Sequence, residues 1–266
     1  MSNDTVLLDI DGAIATLTLN RPQALNALDL AMSAALRDLT EQVEHDAAVR
    51  VVVLRGAGAH FMAGGDIKWF HGLLDAPAAE RRSRFERLIG EVHGSVLRLR
   101  RMGKPVLASV QGAAAGFGLS LMNACDLAIA ADDAYFTLAY CHLGTSPDGG
   151  ATFGLPRLVG AKQAMEIALL GDRFDARRAL ELGLVNRVVP AADLAAETRK
   201  LAERLAAGPT AAYAKTKRLI NESVNCTLTE QLQAEQDSFA ASALTADFAE
   251  GVRAFVEKRK PRFSGG

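Results

Sequence analysis

The first twenty residues contain two short runs of mostly apolar residues, 6–10 and 14–20. Asp11-Gly12 lies between them, and this dipeptide is typical of a tight turn between antiparallel strands, so the pattern predicts a β-hairpin. Apolar runs of similar length predict further buried strands. These runs span 51–55, 105–110 and 127–131.

Between these strands, apolar residues recur every three or four positions, which is the spacing of a helix that buries one face. This spacing predicts helices over 27–43 and 78–101, the second with an arginine-rich polar face. A further helix is predicted to begin at Leu119. Strands that alternate with helices are typical of an α/β domain.

From about Gly149 onward the strand pattern fades and helical spacing dominates. The predicted helices span 161–170, 176–182, 191–207, 209–221 and 228–258. We therefore predict an α/β core over 1–190 and a helical region over 191–266. The second region is rich in alanine and poor in large apolar residues, a composition typical of helices that pack against another subunit.

Composition and charge narrow the functional classes. Nearly half of the 266 residues are apolar, the formal net charge is −1 and the two signs of charge are interspersed. A basic surface is not expected, which argues against nucleic acid as a partner. We find neither a run of about 20 apolar residues nor an apolar leader with a basic start, so we predict no membrane partner and a cytoplasmic location. The cysteines and histidines lack the spacing of metal ligands, and no metal site is predicted.

The segment 111–121 carries the most informative chemistry. It consists largely of glycine and alanine, follows the strand predicted at 105–110 and precedes a helix. The first N–H groups of a helix have no partner within it, and the helix dipole makes that end positive. Such a turn suits an anion or a developing oxyanion. The same composition also suits a turn that only reverses the chain, and the residues alone leave both interpretations open.

Four segments, taken in order, resemble the enoyl-CoA hydratase/isomerase superfamily, also called the crotonase family. They are 20–28, 60–68, 104–130 and 250–263. The resemblance implies a crotonase-type spiral of ββα turns with a helical C-terminal trimerisation region, and therefore a homotrimer or a dimer of trimers. It also implies an acyl-CoA thioester as the substrate, with CoA a part of that substrate and no separate cofactor.

By the same resemblance, two backbone N–H groups bind the thioester carbonyl, and the matching positions are Gly65 and Phe117. Losing one such donor typically costs about 3 kcal/mol of transition-state stabilisation. Phe117 departs from the glycine familiar at this position. Its N–H survives, but its side chain has to point away from the carbonyl or narrow the pocket.

Contacts to CoA are implied at eight positions, the last two of them reaching from a neighbouring subunit. These are Arg21, Ala24, Ala63, Asp66, Ile67, Lys68, Phe255 and Lys258. For Asp66 the residues favour a cap of the following helix, and each lysine equally suits a solvated surface.

The catalytic positions depart from the hydratase pattern. Hydratases use two glutamates to position and activate water, and Ser120 and Tyr140 stand at the matching positions, so water addition by that pair is not expected. Asp148 matches an aspartate that shuttles a proton in some family isomerases and attacks the ring in a family aryl-CoA dehalogenase. Its Pro-Asp-Gly-Gly context also suits an ordinary turn or a helix cap. Burial over an acyl pocket would raise its pKa and make it a competent base.

In that dehalogenase, the positions of His93 and Tyr140 hold a histidine that activates water and a tryptophan that hydrogen-bonds the aspartate. His93 equally suits a packing or surface role on its helix. We favour double-bond isomerisation of an acyl-CoA with Asp148 as the proton shuttle. The first alternative is an aryl-CoA dehalogenase or hydrolase with Asp148 as nucleophile and His93 as base. The second is an acyl-CoA-binding protein with little catalysis.

Overall fold

The computed structural model describes residues 4–266. Strands and helices alternate through its first two thirds, as predicted. The strands are β1 (Val6–Asp11), β2 (Ile14–Leu19), β3 (Val51–Gly56), β4 (Val106–Val110), β5 (Ala113–Ala115), β6 (Leu127–Ala131), β7 (Tyr135–Thr137), β8 (Phe174–Asp175) and β9 (Arg187–Val189). The helices are α1 (Leu30–His45), α2 (Ile67–His71), α3 (Ala78–Arg101), α4 (Phe117–Asn123), α5 (Ala151–Leu170), α6 (Ala176–Glu181), α7 (Leu194–Ala206), α8 (Thr210–Glu222), α9 (Leu228–Ser242) and α10 (Ala246–Val256).

Two sheets organise the strands. The main sheet has the order β1-β2-β3-β4-β6-β9, and the small sheet has the order β5-β7-β8. The hairpin β1–β2 is antiparallel, and every later pair in the main sheet is parallel. Parallel neighbours need crossover connections, and the intervening helices supply them. The chain contains two successive units of this kind, β4-β5-α4 and β6-β7-α5. In each unit the first strand joins the main sheet, the second strand joins the small sheet, and a helix follows.

The hydrophobic core lies on both faces of the main sheet. One face and the helices α1, α3 and α4 enclose a large cluster that includes fully buried Leu17, Leu54 and Leu99. Leu194 and Leu201 of α7 cover the other face. The predicted boundary between residues 190 and 191 therefore precedes a helix that packs on the sheet, and the division into two regions stays a prediction.

Two predicted boundaries in the first half of the chain are wrong. The first helix begins at Leu30 and not at residue 27, because Leu25 and Asn26 take left-handed φ angles of 54° and 56° and Asp29 caps the helix. The glycine- and alanine-rich turn contains the strand β5, and α4 begins at Phe117 and not at Leu119. The strand β5 was not predicted because it consists of alanines, which have no preference for strands.

The second half also differs from the prediction. Helix α5 begins at Ala151 and bends at Gly160, where φ is 77°, and the segment 228–258 is two helices because Thr245 caps a new one. The short strands β8 and β9 were missed. They have only two and three residues, too few for a periodicity to register.

The last three helices expose large apolar side chains, including Leu232, Phe239 and Val252. An interface between subunits at this surface stays a prediction. Within residues 4–266, none of the helices has the length and apolar character that crossing a membrane requires.

Candidate active site

The candidate oxyanion loops come from successive turns of the fold and are joined by backbone hydrogen bonds. Met62 N–H donates to Ala113 O and Ala115 N–H donates to Met62 O, each at 2.9 Å. Gly64 takes a φ of 91°, and a Cβ at this position would lie 3.2 Å from Ala115 O and 3.7 Å from Phe117 N. The chain just before Gly65 therefore lies against the start of α4.

The N–H groups of Gly65 and Phe117 are left unused by the secondary structure around them. Leu28 bridges to Gly65 through the Gly64 carbonyl and the Asp66 N–H, so the bridge does not use the Gly65 N–H. Phe117 is the first residue of α4, where an N–H has no acceptor within the helix. The arrangement suits two donors to one carbonyl oxygen, and this role stays a prediction.

The Phe117 side chain is buried, with 2% of its surface exposed. A Cβ at Gly149 would lie 2.7 Å from the Phe117 ring and 2.8 Å from Ser120 Cβ. The ring therefore packs between α4 and the turn that carries Asp148. The phenylalanine that replaces the familiar glycine supports this turn by direct contact.

Asp148 is held from three sides. Its Oδ1 accepts a hydrogen bond of 2.5 Å from the Tyr140 hydroxyl. Its backbone carbonyl accepts one of 3.0 Å from Ser120 Oγ. The next residue, Gly149, donates its N–H to His93 Nε2 at 3.2 Å. The structure thus brings together four residues that the sequence analysis singled out, from α3, α4 and the loop before α5.

The helix-cap alternative for Asp148 is wrong. Helix α5 is capped by Gly150, without a side-chain hydrogen bond. The carboxylate faces Tyr140, and only the backbone carbonyl of Asp148 accepts the N–H of Ala151, at 3.1 Å. The turn that the Pro-Asp-Gly-Gly composition suggests is present, since Gly149 and Gly150 have φ angles of 61° and 79°. It positions the carboxylate and does not exclude a function for it.

The surroundings shift the acidity of both members of the pair. Burial raises the pKa of Asp148 above its ordinary value, and the hydrogen bond from Tyr140 only partly opposes this. Burial, and then the charge and hydrogen bond of Asp148, raise the pKa of Tyr140. Tyr140 therefore stays a protonated donor at neutral pH, and Asp148 is a stronger base than an exposed aspartate.

A cavity of about 860 Å³ opens beside this turn. It runs between α3, α4, the start of α5 and α8. Its lining includes His93 and Gly149 at the candidate site, together with Val96, Leu97 and Phe153. The cavity has the size and largely apolar lining of a small-molecule site.

Arg21 and Asp66 hold each other and the loop around them. Arg21 donates to Asp66 Oδ2 at 2.8 Å, lies 3.1 Å from Asp29 and also donates to the Ala27 carbonyl. Asp66 Oδ1 accepts the N–H groups of Lys68 and Trp69 at 3.0 and 3.2 Å. Burial alone would raise the pKa of Asp66, but these hydrogen bonds outweigh it and hold the pKa below its ordinary value. The helix-cap interpretation of Asp66 is therefore confirmed.

The other positions expected to meet CoA fall into two groups. Ala24 and Ala63 lie on adjoining loops, since Ala63 N–H donates to Leu25 O at 3.0 Å, and Ile67 and Lys68 are exposed on the first turn of α2. Phe255, which is 86% exposed, and Lys258 lie at the end of α10. Contact with CoA, from the same or a neighbouring subunit, stays a prediction for all of them.

Several polar side chains of the cavity were not predicted from the sequence, and Asn123 and Arg100 are two of them. The spacing from His93 through Val96 and Leu97 to Arg100 would have placed Arg100 on the same helix face. Asn123 gave no such signal. Among the described residues, no three histidine, cysteine or acidic side chains are grouped as a metal ion would require.

Comparison with known proteins agrees with this architecture. The enoyl-CoA hydratase/isomerase family model matches residues 9–266. The 1,2-epoxyphenylacetyl-CoA isomerase of Escherichia coli (strain K12) is 39% identical over 260 residues, and the trans-2-decenoyl-(acyl-carrier-protein) isomerase of Streptococcus mutans is 32% identical over 260 residues. Each alignment covers 98% of both chains.

A crystal structure of an enoyl-CoA hydratase from Polaromonas sp. JS666 superposes with a TM-score of 0.91 at 36% identity, covering 97% of this chain and 99% of that one. The predicted crotonase-type α/β fold is thereby confirmed. With a family match over almost its whole length and the same fold, the chain belongs to the enoyl-CoA hydratase/isomerase family.

Proposed function

We propose that the chain moves a carbon–carbon double bond within an acyl-CoA thioester, with Asp148 as the proton shuttle. The observation that carries this proposal is the half-buried, hydrogen-bonded Tyr140–Asp148 pair beside the ring of Phe117. The relative named as a trans-2-decenoyl-(acyl-carrier-protein) isomerase supports isomerisation of an unsaturated thioester, and the relative named as a 1,2-epoxyphenylacetyl-CoA isomerase supports isomerisation of an acyl-CoA more generally.

The proposed reaction needs one base and one oxyanion site. Ionised Asp148 removes a proton from the α-carbon of a β,γ-unsaturated thioester, and the electron pair passes to the carbonyl oxygen. The N–H groups of Gly65 and Phe117 stabilise the resulting dienolate oxygen. Protonated Asp148 then returns the proton to the γ-carbon, so no water or cofactor is consumed. A raised pKa strengthens Asp148 as a base for the first step, and it lies nearer to neutral pH, which suits a group that has to take a proton and then return it.

Hydration by a glutamate pair is less well supported, although a similar structure carries the name of a hydratase. The two glutamate positions hold Ser120 and Tyr140, whose hydroxyls donate hydrogen bonds to the backbone carbonyl and to the carboxylate of Asp148.

The dehalogenase or hydrolase alternative gains no support either. His93 Nε2 already accepts the Gly149 N–H, so this nitrogen is not free to take a proton from water.

A panel of CoA esters tests the proposal: β,γ-enoyl, α,β-enoyl and 4-halobenzoyl esters, each analysed by mass spectrometry and chromatography. We expect the enoyl esters to interconvert at unchanged mass. Addition of one water would indicate hydration, exchange of halogen for hydroxyl would indicate dehalogenation, and binding without any product would indicate a non-catalytic protein.

The variant Asp148→Asn assigns the proton shuttle. We expect its turnover to fall by about 10²- to 10⁴-fold while CoA-ester binding persists. The control is Asp133→Asn, which changes an exposed aspartate to the same residue. Isomerisation by Asp148→Asn at the wild-type rate would refute the assigned role.

A further inference from the structure

The end of the cavity remote from Asp148 is rich in positive charge. Its lining contains the cations Arg100, Arg101, Lys215 and Arg218 but a single carboxylate, that of Glu222. In residues 4–266, no acidic side chain lies within ion-pair distance of any of these four cations. Asp126, the acid nearest to Arg100 outside the lining, is already paired with Lys217 at 2.8 Å.

The contacts of these cations are with neutral groups or with an aromatic ring. Arg100 donates to Asn221 Oδ1 at 2.8 Å, and its guanidinium lies 5.6 Å from the centre of the Phe153 ring. Lys215 donates to the Ser242 hydroxyl at 3.0 Å, and Arg218 donates to the Ser238 hydroxyl at 3.2 Å. Burial lowers the pKa of Arg100, and the charge of Asp126 only partly opposes this.

A buried side-chain amide in the same cavity also lacks a partner. Asn123 of α4 lines the cavity and is only 9% exposed, and neither its Oδ1 nor its Nδ2 has a hydrogen-bond partner among residues 4–266. Leaving a buried amide unsatisfied costs about 1–3 kcal/mol, and native proteins seldom do so. A polar ligand in the cavity would satisfy it.

The geometry of α3 relates this polar end to the candidate site. His93, Val96, Leu97 and Arg100 all line the cavity and lie at positions i, i+3, i+4 and i+7 of one helix face. Arg100 therefore lies about 10 Å along the helix axis from His93. The side chains between them are apolar, and the apolar ring of Phe153 lies beside Arg100.

We propose that the cavity selects acyl groups that carry a carboxylate at the end remote from the thioester. The apolar stretch beside Val96 and Leu97 takes the chain, and Arg100, with Arg218 and Lys215, takes the carboxylate, while Asn123 supplies a hydrogen bond along the way. This inference rests on the proposed function only in taking an acyl-CoA as the ligand. A chain or ring of medium length spans the distance, and a short acyl group does not.

Two saturated esters of equal length test the selection by calorimetry: octanoyl-CoA and the mono-CoA ester of octanedioic acid. They differ only in the terminal carboxylate, so any contact of the cavity with CoA phosphates affects both equally. We expect the carboxylate ester to bind about tenfold more tightly or better, and Arg100→Gln or Arg218→Gln to reduce this preference several-fold. Arg100→Lys is expected to retain part of it.

The matched control is Arg84→Gln, which changes an arginine of the same helix that pairs with Glu80 outside the cavity. Equal or tighter binding of octanoyl-CoA, or a preference unchanged in both cavity variants, would overturn the inference. Neither ester can be isomerised, so the preference is measured whether or not the chain is an isomerase. Isomerisation without a preference refutes only this inference, and a preference without isomerisation refutes only the proposed function.

Discussion

The Tyr140 hydroxyl donates a 2.5 Å hydrogen bond to Asp148 Oδ1. The two residues are eight positions apart, on a short turn after β7 and on the loop before α5. Hydrogen bonds to a charged group are typically worth about 1.5–3 kcal/mol, more than those between neutral groups. This contact therefore stabilises the ionised form of Asp148 against a burial that disfavours it.

Removing the hydroxyl should make Asp148 harder to ionise. We expect Tyr140→Phe to move the acidic limb of the pH profile of kcat/KM for isomerisation upward by about one pH unit. The profile measures this shift directly, because the proposed mechanism requires ionised Asp148 as the base. The control Tyr135→Phe changes a ring that lies against Arg173, and its limb should match that of the wild type. An acidic limb that does not move in Tyr140→Phe would show that the hydroxyl does not set the ionisation of Asp148.

The raised pKa of Asp148 also has a consequence for stability. The folded protein holds this proton more tightly than the unfolded chain, so the contribution of Asp148 is fully present below the ordinary carboxyl range and is lost as pH rises through the raised value. Asparagine cannot ionise. We expect Asp148→Asn to melt a few degrees above the wild type at pH 8, with the difference shrinking toward pH 4. A variant less stable than the wild type at pH 8 would contradict this sign.

Much of the fold could be predicted because the strands of the parallel sheet are continuous apolar runs, as at 51–55 and 127–131. The strand β5 could not, since three alanines carry neither alternation nor strand preference. At the site, Asp148, Tyr140 and His93 were found by matching positions of the family. The hydrogen bond between the Gly149 N–H and His93 could not be predicted, because it depends on how α3 packs against a loop that is distant in sequence.

The contact between the two oxyanion loops depends on the absence of a side chain at Gly118. A Cβ at this position would collide with the Met62 carbonyl oxygen, which is a backbone atom and cannot swing away. We expect Gly118→Ala to push the loops apart and lower kcat by about 10²- to 10³-fold, the effect of losing one oxyanion donor. Steady-state kinetics and thermal melting measure the two effects.

The control for this variant is Gly90→Ala in α3, where a Cβ would meet nothing within 4 Å. Alanine is the better helix former by about 1 kcal/mol, so this control should be at least as stable as the wild type. If kcat stays at the wild-type value in Gly118→Ala, the close approach of the loops is not needed for catalysis.

Lys217 connects α8 to the core through an ion pair and two hydrogen bonds. Lys217 Nζ lies 2.8 Å from Asp126 Oδ2 and donates to the carbonyls of Leu99 and Lys104 at 2.7 and 3.1 Å. Its side chain is only 9% exposed. Burial lowers the pKa of Lys217 and raises the pKa of Asp126, so each group depends on the other to stay charged.

Truncating this lysine should be costly because, among the described residues, it leaves the Val106 N–H as the remaining hydrogen-bond donor to the Asp126 carboxylate, whose side chain is 25% exposed. We expect Lys217→Met to lower the free energy of unfolding by about 1.5–3 kcal/mol in urea denaturation, and the double variant Asp126→Asn/Lys217→Met to regain much of the loss. The control is Lys200→Met, which breaks an exposed pair with Glu197 and should cost less than about 1 kcal/mol. A loss of the same small size in Lys217→Met would mean that α8 is attached mainly by its other contacts.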